Sequence, residues 1–130
     1  FSALDKPVVW PVHPRNKARL NTLNLPENLL VISPLSYFKM NLAIQNCCKV
    51  LTDSGGLQKE AYWAKKPCIT IRNETEWVET LEGGWNQLTG VDTKIILNTV
   101  FNQPYSKWVP LYGSGNAAKN IATVIQGCFS

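Results

Sequence analysis

The chain has 130 residues, of which 45% are hydrophobic and 17% charged, enough for one ordinary domain with a real core and too apolar for disorder. No apolar run approaches the roughly 20 residues that span a bilayer, and no signal-peptide pattern opens the chain. A net charge of +4 suits phosphate ligands, yet the basic residues are scattered and form no block that would track nucleic acid.

In chain order, Pro7 to His13 is rich in β-branched residues and is predicted as a strand. A chain that begins at Phe1 and enters a core strand at once is expected to be part of a longer protein. Asn16 to Leu23 reads as a short helix and Leu29 to Ile32 as a second strand. Tyr37 to Asn46 is predicted helical, with Phe38, Leu42 and Ile44 repeating on one side. Val50 to Asp53 is a third strand, flush against Gly55 and Gly56, and Ser54 to Lys65 is the helix that follows, stopped by Lys66-Pro67. Cys68 to Arg72 and Trp85 to Thr89 complete the strands. Thr93 to Phe101 and Ala117 to Ile125 are closing helices.

Short apolar strands alternating with helices indicate a Rossmann-like parallel sheet with helices on both faces. Ligands of such sheets sit beyond the carboxyl ends of the strands. The polar residues there are His13, Ser33, Asp53 to Gly56 and Arg72-Asn73. Among the cysteines (Cys47, Cys48, Cys68 and Cys128) there is no C-x-x-C pair, which removes the usual zinc spacing. They read as buried, reduced thiols of a cytoplasmic protein.

The strongest local signal is Thr52-Asp-Ser-Gly-Gly-Leu-Gln-Lys-Glu60. Two glycines at a strand-to-helix turn admit a ligand close to the backbone. The first free N–H groups of the helix, with the positive end of its dipole behind them, suit a phosphate. Ser54 adds a hydroxyl, and Glu60 is placed to accept hydrogen bonds from ribose hydroxyls. The plainer alternative is a helix capped by Asp53 or Ser54. The segment is neither a Walker A loop nor a G-x-G-x-x-G fingerprint. His13 is either a strand-end structural residue or a ligand contact. Arg72 is suited to a phosphate or to a carboxylate of its own loop. The tryptophans read as core and rim packing.

Together, Pro11-Val-His-Pro14, Pro34-Leu-Ser-Tyr37, Leu51 to Ala61, Lys66-Pro67, Arg72-Asn-Glu-Thr-Glu76, Gly84 and Tyr112-Gly-Ser-Gly-Asn-Ala117 resemble the non-hydrolysing UDP-N-acetylglucosamine 2-epimerases in order and spacing, over nearly the whole chain. The resemblance implies the C-terminal half of a GT-B arrangement, a single UDP-binding domain over residues 1–130. It also implies reversible epimerisation at C2 to UDP-N-acetylmannosamine, by elimination of UDP and re-addition. Ser54, Gly55 and Gly56 would hold the diphosphate and Glu60 the ribose. His13, Arg72 and Met40 would line the nucleotide-sugar cleft, Met40 standing where the family often has a Phe near uracil. The catalytic carboxylates of the family lie in the N-terminal domain, so the resemblance places no catalytic residue here and implies a fragment inactive by itself. It calls for no cofactor, metal, nucleic acid or membrane partner. The expected partners are a UDP-sugar, the N-terminal domain of the same chain and, at full length, a second copy.

The sequence departs from the family pattern at three points. Trp77 and Val78 replace an Arg-Pro pair, Lys59 replaces the first acid of Q-E-E, and Met40 replaces the Phe. Thr75-Glu-Trp-Val-Glu79 with Gly84-Trp-Asn86 resembles a branch acting on a modified sugar such as a diacetamido uronic acid. A hydrolysing epimerase that releases free N-acetylmannosamine, a GT-B glycosyltransferase domain and a non-catalytic nucleotide-sugar sensor are the other readings.

Overall fold

The computed structural model describes residues 1–20 and 22–128. The chain divides into two compact units, Phe1–Cys47 and the remainder from Cys48.

In the first unit, β1 (Val8–Pro11) pairs in parallel with β2 (Leu29–Ile32), from Val8 opposite Leu29 to Pro11 opposite Ile32. Pro11 has no N–H to give, but the donors to β2 are the even-numbered positions, Val8 and Val12 bonding the Asn28 and Ile32 carbonyls, so position 11 faces away from β2 and the strand tolerates it. Val12 continues it by one hydrogen bond, its N–H to the Ile32 carbonyl at 3.0 Å, and is fully buried. The expected first helix is shorter than read. A 3-10 turn (Pro14–Asn16) leads into α1 (Lys17–Leu20), and Asn21, within that expected helix, lies outside the described residues. α2 (Tyr37–Asn46) has the expected bounds but not the expected apolar side. Phe38 is 83% and Leu42 62% exposed, and Ile44 alone is buried. At 100° per residue Ile44 lies about 200° round from Leu42, so the three side chains do not share a face.

In the second unit three strands form a parallel sheet in the order β3 (Val50–Thr52), β4 (Cys68–Thr70), β5 (Asn86–Leu88). The register sets Thr52, Thr70 and Leu88 side by side. All three carboxyl ends therefore open on one edge. α3 (Gly55–Trp63) packs on β3 and β4, and α4 (Thr93–Asn102) packs on β4. Every residue of central β4 is buried, as expected of a parallel strand covered on both faces. The core gathers Ala61 and Tyr62 of α3, Cys68 and Ile69 of β4, and Trp85. α4 starts on a side-chain cap, where the Asp92 carboxylate accepts from the N–H groups of Lys94 and Ile95 at 2.8 and 3.1 Å. α5 (Ala117–Cys128) ends the described chain with no buried residue.

The cysteines are only partly as expected. Cys68 is buried and Cys47 half-buried, but Cys48 and Cys128 are exposed. Cys48 follows the helix end and Cys128 sits on a helix with no buried side, so neither has a core to enter. Among the described residues no helix is long and apolar enough to cross a membrane, and no cluster of three or more His, Cys, Asp or Glu side chains is suited to a metal.

Candidate functional site

The parallel register brings three loops to one edge of the second sheet. These are Asp53-Ser54 after β3, Ile71 to Trp77 after β4, and Thr89-Gly90 after β5. The last two are tied together by the Gly90 N–H, which donates to the Arg72 carbonyl at 3.0 Å.

Ser54 is the N-cap of α3, with extended backbone (φ −86°, ψ 125°), but its side chain makes no cap hydrogen bond. The turn is held instead from behind. The Ser54 N–H donates to the Thr52 hydroxyl at 3.0 Å, and the Ser54 carbonyl accepts from the Gln58 N–H at 3.3 Å. The N–H groups of Gly55, Gly56 and Leu57 have no acceptor within the helix. A hydroxyl not spent on capping, three such N–H groups and the positive end of the dipole are groups suited to an anion.

The two glycines differ in what surrounds them. A Cβ on Gly56 would meet nothing nearer than the Ser54 Oγ at 3.9 Å. A Cβ on Gly55 would stand 3.2 Å from Glu76 Oε2 and 3.5 Å from Trp77 Nε1. Gly56 thus leaves the tip open, whereas Gly55 admits the loop after β4. Glu60 follows Gly56 by four residues, on the same face about 6 Å further along the axis. It is half-buried.

Arg72 is placed beside its own loop's acid. Its Nη1 donates to Glu76 Oε1 and Oε2 at 3.1 and 3.2 Å. A hydrogen bond from Glu76's own backbone N–H, and then Arg72, hold the Glu76 carboxyl below its ordinary range. Of the two pairings open to Arg72, the carboxylate is the one made in this structure. His13 and Met40 belong to the first unit and Ser54, Gly55, Gly56, Glu60 and Arg72 to the second. His13 is exposed, its Nδ1 accepting from the Arg15 N–H at 3.3 Å, and Met40 is half-buried in α2.

Two features were not anticipated. The first is a buried polar network beneath the tip. Thr75 donates to Gln58 Oε1 at 2.6 Å, and Asn86 Nδ2 donates to the same oxygen and to the Thr80 hydroxyl, both at 3.0 Å. Thr70 donates to Asn86 Oδ1 at 2.6 Å. Thr70 in the strand Cys68-Ile-Thr70 and Asn86 in Asn86-Gln-Leu88 were the available signal, since a buried polar side chain must find a partner. The second is an aromatic cage. Lys59 Nζ lies 5.2, 4.2 and 4.7 Å from the ring centroids of Trp63, Trp77 and Tyr112. Burial first, and the Glu79 carboxylate second, push the Tyr112 phenol above its ordinary pKa.

A parallel α/β sheet carrying an open helix tip at its carboxyl edge, with an acid one turn along, defines the class of folds that seat anionic groups at strand ends. The sequence model of the UDP-N-acetylglucosamine 2-epimerase family matches residues 1–126, and the chain belongs to that family. It is 41% identical over 134 residues to a UDP-N-acetylglucosamine 2-epimerase homolog of Methanococcus maripaludis, covering 97% of this chain and 38% of that protein. It is 41% identical over 119 residues to the UDP-2,3-diacetamido-2,3-dideoxy-D-glucuronate 2-epimerase of Pseudomonas aeruginosa, covering 89% of this chain and 34% of that one. Its fold is similar to the crystal structure of Methanocaldococcus jannaschii UDP-GlcNAc 2-epimerase in complex with UDP-GlcNAc and UDP. The TM-score is 0.81 at 33% identity, over 94% of this chain and 36% of the other. The chain thus spans a little over a third of the length of the curated relatives it matches.

Proposed function

We propose that this chain is the UDP-binding C-terminal half of a two-domain, GT-B-type UDP-sugar 2-epimerase, an isomerase. The observation that carries the reading is the α3 tip. Ser54 has a hydroxyl not used in capping, a Cβ on Gly56 would meet only that hydroxyl, at 3.9 Å, and Glu60 stands one turn further on the Gly56 face. A diphosphate on the first-turn N–H groups would then direct a ribose along the helix toward Glu60.

In the proposed reaction, removal of the proton at C2 and departure of UDP from C1 give a glycal. UDP returns to C1 as a proton is delivered to the opposite face of C2. The tip stabilises the charge that builds on UDP as it leaves and holds UDP for its return, which is electrostatic catalysis. The proton transfers need a positioned acid and base, which we assign to residues outside this chain, so the chain alone is expected to bind without turnover. His13, Arg72 and Met40 are proposed to line the sugar-nucleotide cleft of the full-length enzyme, expected to be a cytoplasmic homodimer.

UDP-N-acetylglucosamine, converted to UDP-N-acetylmannosamine, is the substrate on the family reading. The 41% identity to the diacetamido-glucuronate epimerase supports a second reading, a UDP-diacetamido uronic acid.

Calorimetric titration of UDP, with uridine as control, tests the site. Saturable UDP binding, weaker for uridine, is expected. Glu60→Ala should weaken UDP about tenfold, the usual scale for losing hydrogen bonds to a charged group. Absence of binding by the folded chain would contradict the proposed seat.

A further inference from the structure

The α3 helix carries two neighbouring stripes at four-residue spacing. Gly56 and Glu60 form one. Gly55, Lys59 and Trp63 form the other, and all three meet the loop after β4 or the aromatic cage. Trp77 is the side chain common to these contacts. Its ring lies under the Lys59 ammonium at 4.2 Å, and its Nε1–H donates to the Gly55 carbonyl at 2.9 Å.

That carbonyl belongs to the same peptide unit as the Gly56 N–H. The unit is planar and trans, so fixing the C=O on one side fixes the N–H direction on the other. In an α-helix this carbonyl also accepts from the N–H four residues on, and the indole adds a second donor to it in a first turn made pliant by two glycines. The loop is itself anchored, because the Trp77 N–H donates to the Thr75 hydroxyl at 3.1 Å and that hydroxyl donates to buried Gln58 at 2.6 Å.

We propose that Trp77 is a positioning residue for the diphosphate, aiming the Gly56 N–H through its indole hydrogen bond to Gly55, with Lys59 holding the ring in place. The inference rests on the reading of the α3 tip as the diphosphate seat. Trp77 touches no reacting atom and acts through the Gly55–Gly56 peptide. It makes the Arg-Pro to Trp77-Val78 departure a change in how the tip is held.

Trp77→Phe keeps a ring for Lys59 and deletes the N–H. In this chain, UDP should bind about threefold to tenfold more weakly, the loss expected of one hydrogen bond, while uridine binding, followed by NMR titration, stays unchanged. The Gly56 amide should also exchange faster without nucleotide. Lys59→Met, which leaves the indole N–H in place, should weaken UDP about twofold to fivefold through the lost cation–π contact, again sparing uridine, and it decides the matter if Trp77→Phe does not fold. Unchanged UDP affinity in the folded variants overturns the proposal. So does an equal loss for UDP and uridine, which a merely structural role would produce. A folded wild-type chain that binds no UDP removes the seat itself, and the inference falls with it. Wild-type binding with an unaffected variant removes the Trp77 role alone.

Discussion

Asn86→Ala tests whether the buried network supports the loop that carries Trp77. Asn86 is 2% exposed and joins Thr70, Gln58 and Thr80 through three hydrogen bonds. After the substitution Thr80 still donates to the Trp77 carbonyl at 2.6 Å, and Gln58 Oε1 still accepts from Thr75. The Thr70 hydroxyl fares worse. It is fully buried, and its other neighbour is the Cys68 sulfur at 3.8 Å, a weak acceptor. One orphaned buried donor costs about 1–3 kcal/mol, and the other lost bonds about 0.5–1.5 kcal/mol each. The expected loss is roughly 3 kcal/mol, a fall in Tm of about 10 °C for a domain of this size. Urea unfolding followed by circular dichroism should show a lower midpoint with an unchanged slope. Gln58→Leu is the companion: it removes the buried, partnerless Gln58 Nε2 but also the Oε1 that accepts from Thr75 and Asn86, so it too should destabilise, by roughly 1–3 kcal/mol. A loss below about 1 kcal/mol for Asn86→Ala would refute the reasoning.

The two tip glycines should separate fold from ligand. Gly55→Ala, crowded by Glu76 and Trp77, should lower Tm. Gly56→Ala, whose Cβ would make only an ordinary 3.9 Å contact with Ser54 Oγ, should raise stability by up to about 1 kcal/mol through helix propensity yet weaken UDP in calorimetry; matching Tm shifts would count against the distinction. For Glu76, a folded pKa below the ordinary value means that the unfolded state binds more protons in that window. Its contribution to stability is present above the unfolded carboxylate pKa and is lost as pH falls through the folded one. Carboxyl-carbon NMR should find Glu76 titrating at a lower pH than in an Arg72→Met variant, and coincident titrations would remove Arg72 from the explanation.

Elements with strong local signals were legible in the sequence. β2 and α2 have the expected bounds, and β3, α3, β4 and β5 fall inside theirs. The strand-to-helix turn at Ser54 was legible because glycine spacing and a following helix are local facts. The buried side of α2 was not, since apolar residues at positions 38 and 42 look like core until their neighbours are known. Nor was the partner of Arg72, because position on a strand end does not choose between a ligand and a carboxylate four residues away. The polar network escaped for a related reason. Thr70, Thr75, Thr80 and Asn86 are distributed over two strands and the connection between them, and only the parallel register and the path of that connection bring them together around Asn86 and Gln58.

The departures from the family pattern make sense as a set once the register is known. Lys59 stands where the pattern has an acid and Trp77 where it has an arginine, and here the two side chains face each other across 4.2 Å. An acid and an arginine across that gap would form an ion pair, an interaction weakened by salt and by exposure. A lysine over an indole spans the same gap by cation–π attraction. The indole can also donate a hydrogen bond to the Gly55 carbonyl, and does so at 2.9 Å. Trp63 and Tyr112 complete the cage around the same ammonium, tying α3 and the turn after Pro110 to one charge. In this chain the contact between helix and loop thus rests on cation–π attraction and the indole hydrogen bond. An acid at position 59 alone would set a carboxylate against the face of the indole, and an arginine at position 77 alone would set two cations together.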